Sequence, residues 1–209
     1  MDTSEMHMPR GFSEAEKRAI GANLLAKGRE LFGAHGLRRT NVEDLTRAVG
    51  ISKGAFYLFY DSKEALFLAI LGQIEAEYRA QLLAALGQPD KPPRERLIAA
   101  LSQAVMLRKD QPLFAQLNSD EFAYLTRALT PEQQRAQLDD DIAFTRELIA
   151  AGRASGVPIG ADPALATGLL RAIVMLNFHE DTIGRDVFAD VAAVLIAQVA
   201  DYLLKEPQP

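Results

Sequence analysis

GISKGAFYLFYDSKEALF, residues 50–67, sets five aromatic rings, two lysines and two glycines within eighteen positions. A helix buries one stripe of its surface, so the neighbouring rings of Phe56, Tyr57, Phe59 and Tyr60 do not all face one core. With successive residues turned by about 100°, Phe56 and Phe59 share one side, while Gly54 and Leu58 fall opposite, flanked by Lys53 and Tyr57. The outward side therefore offers a cation, a phenol, an apolar knob and a stretch of bare backbone. The segment opens with Val49-Gly50-Ile51-Ser52, a glycine-bearing tight turn, and Ser52 suits a helix N-cap.

Helical signals lie on both sides of this segment. Upstream, Ser13 and Glu16 form a capping box, after which Ile20, Leu24, Leu31 and Phe32 share one side until Gly36 closes the helix. Thr40 with Glu43 is expected to form a second box, followed by Val42, Leu45 and Val49 at helical spacing up to Gly50. Downstream, Asp61 or Ser62 caps a long helix in which Leu66, Ile70, Ile74, Tyr78, Leu82 and Leu86 recur every fourth residue before GQPDKPP. Two short capped helices joined by a tight turn predict a helix-turn-helix, whose second helix enters a DNA major groove.

The run LLAKGRELFGAHGLRRTNVEDLTRAVGISKGAFYLFYDSKEALF resembles the TetR family of bacterial transcriptional regulators, with ELF-x3-G, T-x-VEDL, GISKG-x-FY and SKEALF in that family's order and spacing. The resemblance implies an all-α protein: a three-helix DNA-binding head, a larger helical regulatory body, and a homodimer docked through the last two helices. It also implies that Tyr57 and Lys63 hold phosphates, with Thr40 at a helix N-terminus doing likewise. Lys53, Gly54, Ala55 and Leu58 align with base-facing positions, and Ser52 opens the same helix. Many family members carry polar or histidine residues where this chain has Leu58-Phe59, so Leu58 is expected to meet a thymine methyl rather than to hydrogen-bond a base. Arg38 and Arg39 are second-rank phosphate contacts, and Lys17, Arg18 and Arg10 are ambiguous between DNA and solvent.

Charge supports this division. The 209 residues carry a net charge of −5, yet between Arg10 and Lys63 ten Lys and Arg face six acids. A mildly basic head on an acidic body is the expected arrangement. The division is placed at 1–62 for the DNA-binding domain and 63–209 for a ligand-binding and dimerisation domain. Helices are expected near 94–109, 111–118 and 120–128, then a long one opened by Thr130-Pro131-Glu132-Gln133 and closed between Gly152 and Gly160. Two more follow, at about 162–178 and 186–204, the last apolar almost all round and so in need of cover on two sides.

The sequence has no cysteine, no membrane-length apolar run and no signal-peptide core, so a cytoplasmic protein is expected. Three scattered histidines and no Gly-rich phosphate loop give an enzyme nothing to work with, and no cofactor or metal is implied. His179-Glu180-Asp181 reads as a helix C-terminus, and Asp139-Asp140-Asp141 as a solvated face. Met106, Phe114, Phe122, Tyr124, Phe144 and Met175 are candidates to line an effector cavity in the body. The expected function is a repressor released from operator DNA by a small-molecule effector. The alternative is an all-helical interaction module or regulator that does not act through DNA.

Overall fold

The computed structural model describes residues 12–204, with the side chains of all of these except 104–110. Its elements are α1 (Glu14–His35), α2 (Val42–Val49), α3 (Lys53–Phe56), α4 (Lys63–Leu86), α5 (Pro93–Asp110), α6 (Pro112–Gln116), α7 (Ser119–Ala128), α8 (Pro131–Ala154), α9 (Pro163–Leu176), α10 (Glu180–Ile183) and α11 (Phe188–Leu203). The fold is all-α, as the sequence patterns predict, and no strand occurs among the described residues.

Local chemistry sets the boundaries. The box at Ser13 closes in both directions: Glu16 N donates to Ser13 Oγ at 3.3 Å, and Ser13 N donates to Glu16 Oε2 at 2.7 Å. Gly36 ends α1 at φ 80°, ψ 166°, a conformation that a Cβ disfavours. The second box is displaced by one residue from expectation: Asn41 and Asp44 form it, not Thr40 and Glu43. The Thr40 hydroxyl instead donates to Gly36 O at 2.8 Å, tying the loop back to the end of α1 and leaving the next residue to cap α2. Gly50 is left-handed at φ 78°, ψ 33°, which turns the chain between α2 and α3. Ser62 caps α4, accepting from Ala65 N at 3.1 Å. Thr130 and Gln133 close the expected box at the start of α8, with Pro131 behind the cap.

Every member of the predicted α4 stripe is buried, from Leu66 to Leu86. Burial of each such side chain stabilises the fold by about 1.5–3 kcal/mol relative to exposure. The stripe threads two cores. Its first half joins Leu24, Phe32, Leu45 and Phe56 of the head with Leu113 and Leu117 at α6 and Leu125 of α7. Its second half joins Leu97 and Leu101 of α5, Leu148 of α8, Ile173 of α9 and Ile196 of α11. The head is thus packed on α6 and α7 as well as on α4. At the far end Arg96, 4% exposed, donates to Leu86 O and, at 2.8 Å, to Ser155 O, capping the ends of α4 and α8 from α5.

Residues 179–181 depart from expectation. α9 stops at Leu176, and His179 stands in the N-cap position of the one-turn α10 rather than at the end of the long helix. The amide of His179 still reaches back to Leu176 O at 2.9 Å, so the chain turns before restarting.

Candidate nucleic-acid interface and body cavity

α3 and the turn after it present a sharply divided surface. Phe56 is fully buried, with Tyr57 edge-on to it at a ring distance of 5.5 Å, and Phe59 packs beside Phe12 of the region before α1. Opposite them, Leu58 is 73% exposed and Tyr57 47% exposed. A Cβ built on Gly54 would meet only Ser52 Oγ, at 4.0 Å, so the space over that glycine is open. Ser52 Oγ is engaged as the cap, accepting from Ala55 N at 3.1 Å. Lys53 projects on the same side, but its ammonium pairs with Glu43 of α2 at 2.6 Å. That hydrogen bond holds the Glu43 carboxyl below and the Lys53 amine above their ordinary values. Both side chains are solvent-exposed, and such a pair opens readily to a stronger partner.

Three residues expected at the interface are turned elsewhere. Ala55 is buried together with Phe56 on the four-residue α3. Thr40 is 2% exposed, its hydroxyl turned into the loop. Lys63 is partly buried, and its ammonium donates to Leu37 O at 2.8 Å, Thr40 O at 2.9 Å and Arg38 O at 3.2 Å. These carbonyls converge where the loop after α1 passes the start of α4. An ammonium has three donors, so all of Lys63's are occupied here. Arg38 and Arg39 are exposed, and Arg38 lies over the Tyr124 ring at 5.9 Å. Arg10 lies outside the described residues.

The body holds a cavity of about 290 Å³ between α4, α6, α7, α8 and α9. Phe114, Phe122, Phe144 and Met175 are on its wall, whereas the side chain of Met106 lies outside the described residues. Tyr124 is not on the wall: its hydroxyl donates to Glu64 Oε1 at 2.6 Å. Burial opposes ionisation of Glu64, but this bond and its neighbours hold its carboxyl below the ordinary value.

One end of the cavity carries a charge network that the sequence did not announce. Arg79 of α4 donates to Glu75 at 2.6 Å and to Asp140 and Asp141 of α8 at 2.6 and 2.9 Å. Arg171 of α9 also reaches Asp141. The aspartate triplet is therefore a solvated face only at Asp139 and Asp140; Asp141 turns inward. A signal for this existed: Asp141, Thr145 and Leu148 form a helical stripe, and Thr145 and Leu148 are buried. Burial pushes the Glu75 carboxyl up, only partly opposed by the Arg79 charge. For Arg79 burial works the other way, yet the carboxylates around it prevail and hold its pKa above the ordinary value. The Arg79 guanidinium also lies over the Phe144 ring at 4.7 Å.

Comparison with known proteins agrees with the head. Residues 24–70 match the sequence model of the family described as "Bacterial regulatory proteins, tetR family". An uncharacterised HTH-type transcriptional regulator, YuxN of Bacillus subtilis (strain 168), is 41% identical over 58 residues, which are 28% of this chain and 18% of that protein. The fold extends further. A TetR transcription regulator from Haloarcula marismortui superposes with TM-score 0.64 at 18% identity, covering 90% of this chain and 100% of the other. A TetR-family regulator from Pectobacterium atrosepticum gives 0.64 at 23%, covering 94% and 100%. SmeT, the repressor of the Stenotrophomonas maltophilia multidrug efflux pump SmeDEF, gives 0.58 at 19%, covering 90% and 97%.

Proposed function

We propose that this chain, whose residues 24–70 match the TetR family model, is a homodimeric repressor that leaves its operator DNA when a small molecule fills the body cavity. The observation that carries this reading is the outward face of α3 and its following turn, where Tyr57, Leu58 and Lys53 surround an uncovered Gly54. A face with bare backbone at its centre lets a helix approach base edges closely, while Tyr57 and the basic surroundings reach phosphates.

Dimerisation through α9 and α11 is supported by their surface. Leu165 of α9, Val194, Leu195 and Tyr202 of α11, and Val187 just before it, are large apolar side chains left exposed on the single chain. A second copy supplies the missing cover. Two heads so joined read half-sites about 34 Å apart, so their spacing is what an effector can spoil. The cavity is suited to do this, because Leu68, Leu71 and Ile74 on its wall belong to the helix whose first turn carries Lys63 and Glu64 beside the head. α7 offers a second link, with Phe122 on the wall and Tyr124 bonded to Glu64. No helix among the described residues is long and apolar enough to cross a membrane.

The test is a gel shift of the purified protein on DNA flanking its own gene, followed by footprinting. A palindromic site protected on both half-sites supports the reading. Equal affinity for that DNA and for scrambled duplex would reject it.

A further inference from the structure

The cavity wall divides by chemistry. Leu68, Leu71, Phe114, Phe122, Met175 and Phe178 make one side apolar and largely aromatic. The other side carries Glu75, Arg79, Asp141 and Arg171. We propose that this cavity selects an amphipathic organic cation, an ammonium group on an aromatic or aliphatic body, with the charge seated against Glu75. The proposal rests on the reading of the cavity as the effector site and names the chemistry of its ligand.

The charge count at the polar end carries the argument. Oxygen atoms of Glu75, Asp140 and Asp141 lie within 4.8 Å of one another. Two guanidiniums answer three carboxylates: Arg79 bonds all three, and Arg171 bonds Asp141. One negative charge is left over in the cluster as a whole; Asp140 is its exposed member and stands off the wall, whereas Glu75 and Asp141 line the partly buried space, where charges are less screened. Glu75 is the member that feels it. Its Oε1 accepts from Arg79, and no further hydrogen bond to its carboxylate is found among the described residues. Burial is the chief reason that Glu75 holds a proton more tightly than usual, with Asp141 and Asp140 adding to it, and a bound ammonium would supply that positive charge instead.

The alternatives fare worse on the same geometry. A carboxylate ligand would have to take Arg171 or Arg79 from Asp141 and would add a second uncompensated negative charge. A neutral ligand would fill the apolar side but leave the excess in place. The rings are suited to a cation as well, since Phe144 already presents its face to the Arg79 guanidinium. A cavity of about 290 Å³ accommodates a body of one ring and a short chain.

Calorimetric titration of the purified protein without DNA tests this, using 4-phenylbutylamine, 4-phenylbutanol and 4-phenylbutyrate, which share one body and differ in charge. The amine should bind saturably, one per chain, at least about tenfold more tightly than the carboxylate and more tightly than the alcohol. Glu75→Gln keeps the size of the side chain and should bring the amine down to the alcohol. Arg171→Gln removes a competing cation from a half-exposed position and should widen the preference for the amine, which keeps the test available if the Glu75 variant does not fold. The proposal is overturned if the carboxylate binds most tightly, if the amine gives no saturable heat up to about 10 mM, or if the preference survives Glu75→Gln or narrows in Arg171→Gln. Because no DNA is present, none of these results bears on whether the chain binds an operator.

Discussion

Lys63 brings an ammonium to the N-terminus of α4, an end whose dipole disfavours a cation, and the carbonyls of Leu37, Arg38 and Thr40 accept it there. In the free protein the residue therefore clamps the loop between α1 and α2 to the start of α4. Lys63→Ala should lower the unfolding free energy by about 1–3 kcal/mol, the cost of stranding partly buried acceptors. Urea denaturation measures it. DNA affinity should fall with the loosened loop while the slope of log affinity against log salt stays as in wild type; a slope smaller by about 0.9 would assign Lys63 to a phosphate instead. The lysine itself was legible in the SKEALF motif, but its partners are backbone oxygens 23 to 26 residues away, which no side-chain pattern reveals. Thr40 misled for a related reason. Thr and Asn both cap helices, and the choice between positions 40 and 41 was made by a hydroxyl finding Gly36 O.

Among the elements, α4 was the most legible, since one residue in four along six turns is a periodicity only a two-core helix requires. The caps of α1 and α8 and the end of α1 at Gly36 were equally plain, because each depends on chemistry within four residues, while that of α4 was left between Asp61 and Ser62. The ties between elements were not. Arg96 sits among the charged residues RER at the start of α5, yet it is buried against the ends of α4 and α8. Arg96→Leu would leave Leu86 O, and in part Ser155 O, without their donor, at a cost of about 1–3 kcal/mol. Thermal unfolding should show the loss, and a variant as stable as wild type would mean that water or a neighbouring group replaces the guanidinium. The charge network of Glu75, Arg79, Asp141 and Arg171 escaped for the same reason: three helices far apart in sequence bring it together. Its aromatic surroundings were easier, because Phe114, Phe122 and Phe144 recur on helices that must enclose something.

For the whole molecule, the surface left over after folding determines the assembly. Val194 is 61% exposed and Leu195 41% exposed on α11, whereas Val199 of the same helix packs against the body core. Val194→Asp should therefore break the proposed dimer and leave the fold intact. Sedimentation equilibrium should give a monomer of about half the wild-type mass, with a thermal midpoint above wild type minus about 4 °C; a variant still dimeric would place the interface elsewhere. The central claim is that this assembly reads DNA through the outward face of α3. Gly54 offers the cleanest probe, since a Cβ there meets no neighbour beyond the adjoining chain closer than Ser52 Oγ at 4.0 Å and points into open space, so the fold should tolerate it. The decisive measurement is salt-titrated binding of wild type and Gly54→Leu to the footprinted operator and to a scrambled duplex. A leucine between the helix and the base edges should abolish the preference for operator, leaving both duplexes bound at the weak, salt-dependent level of the scrambled one. Wild-type operator affinity in Gly54→Leu would contradict the account.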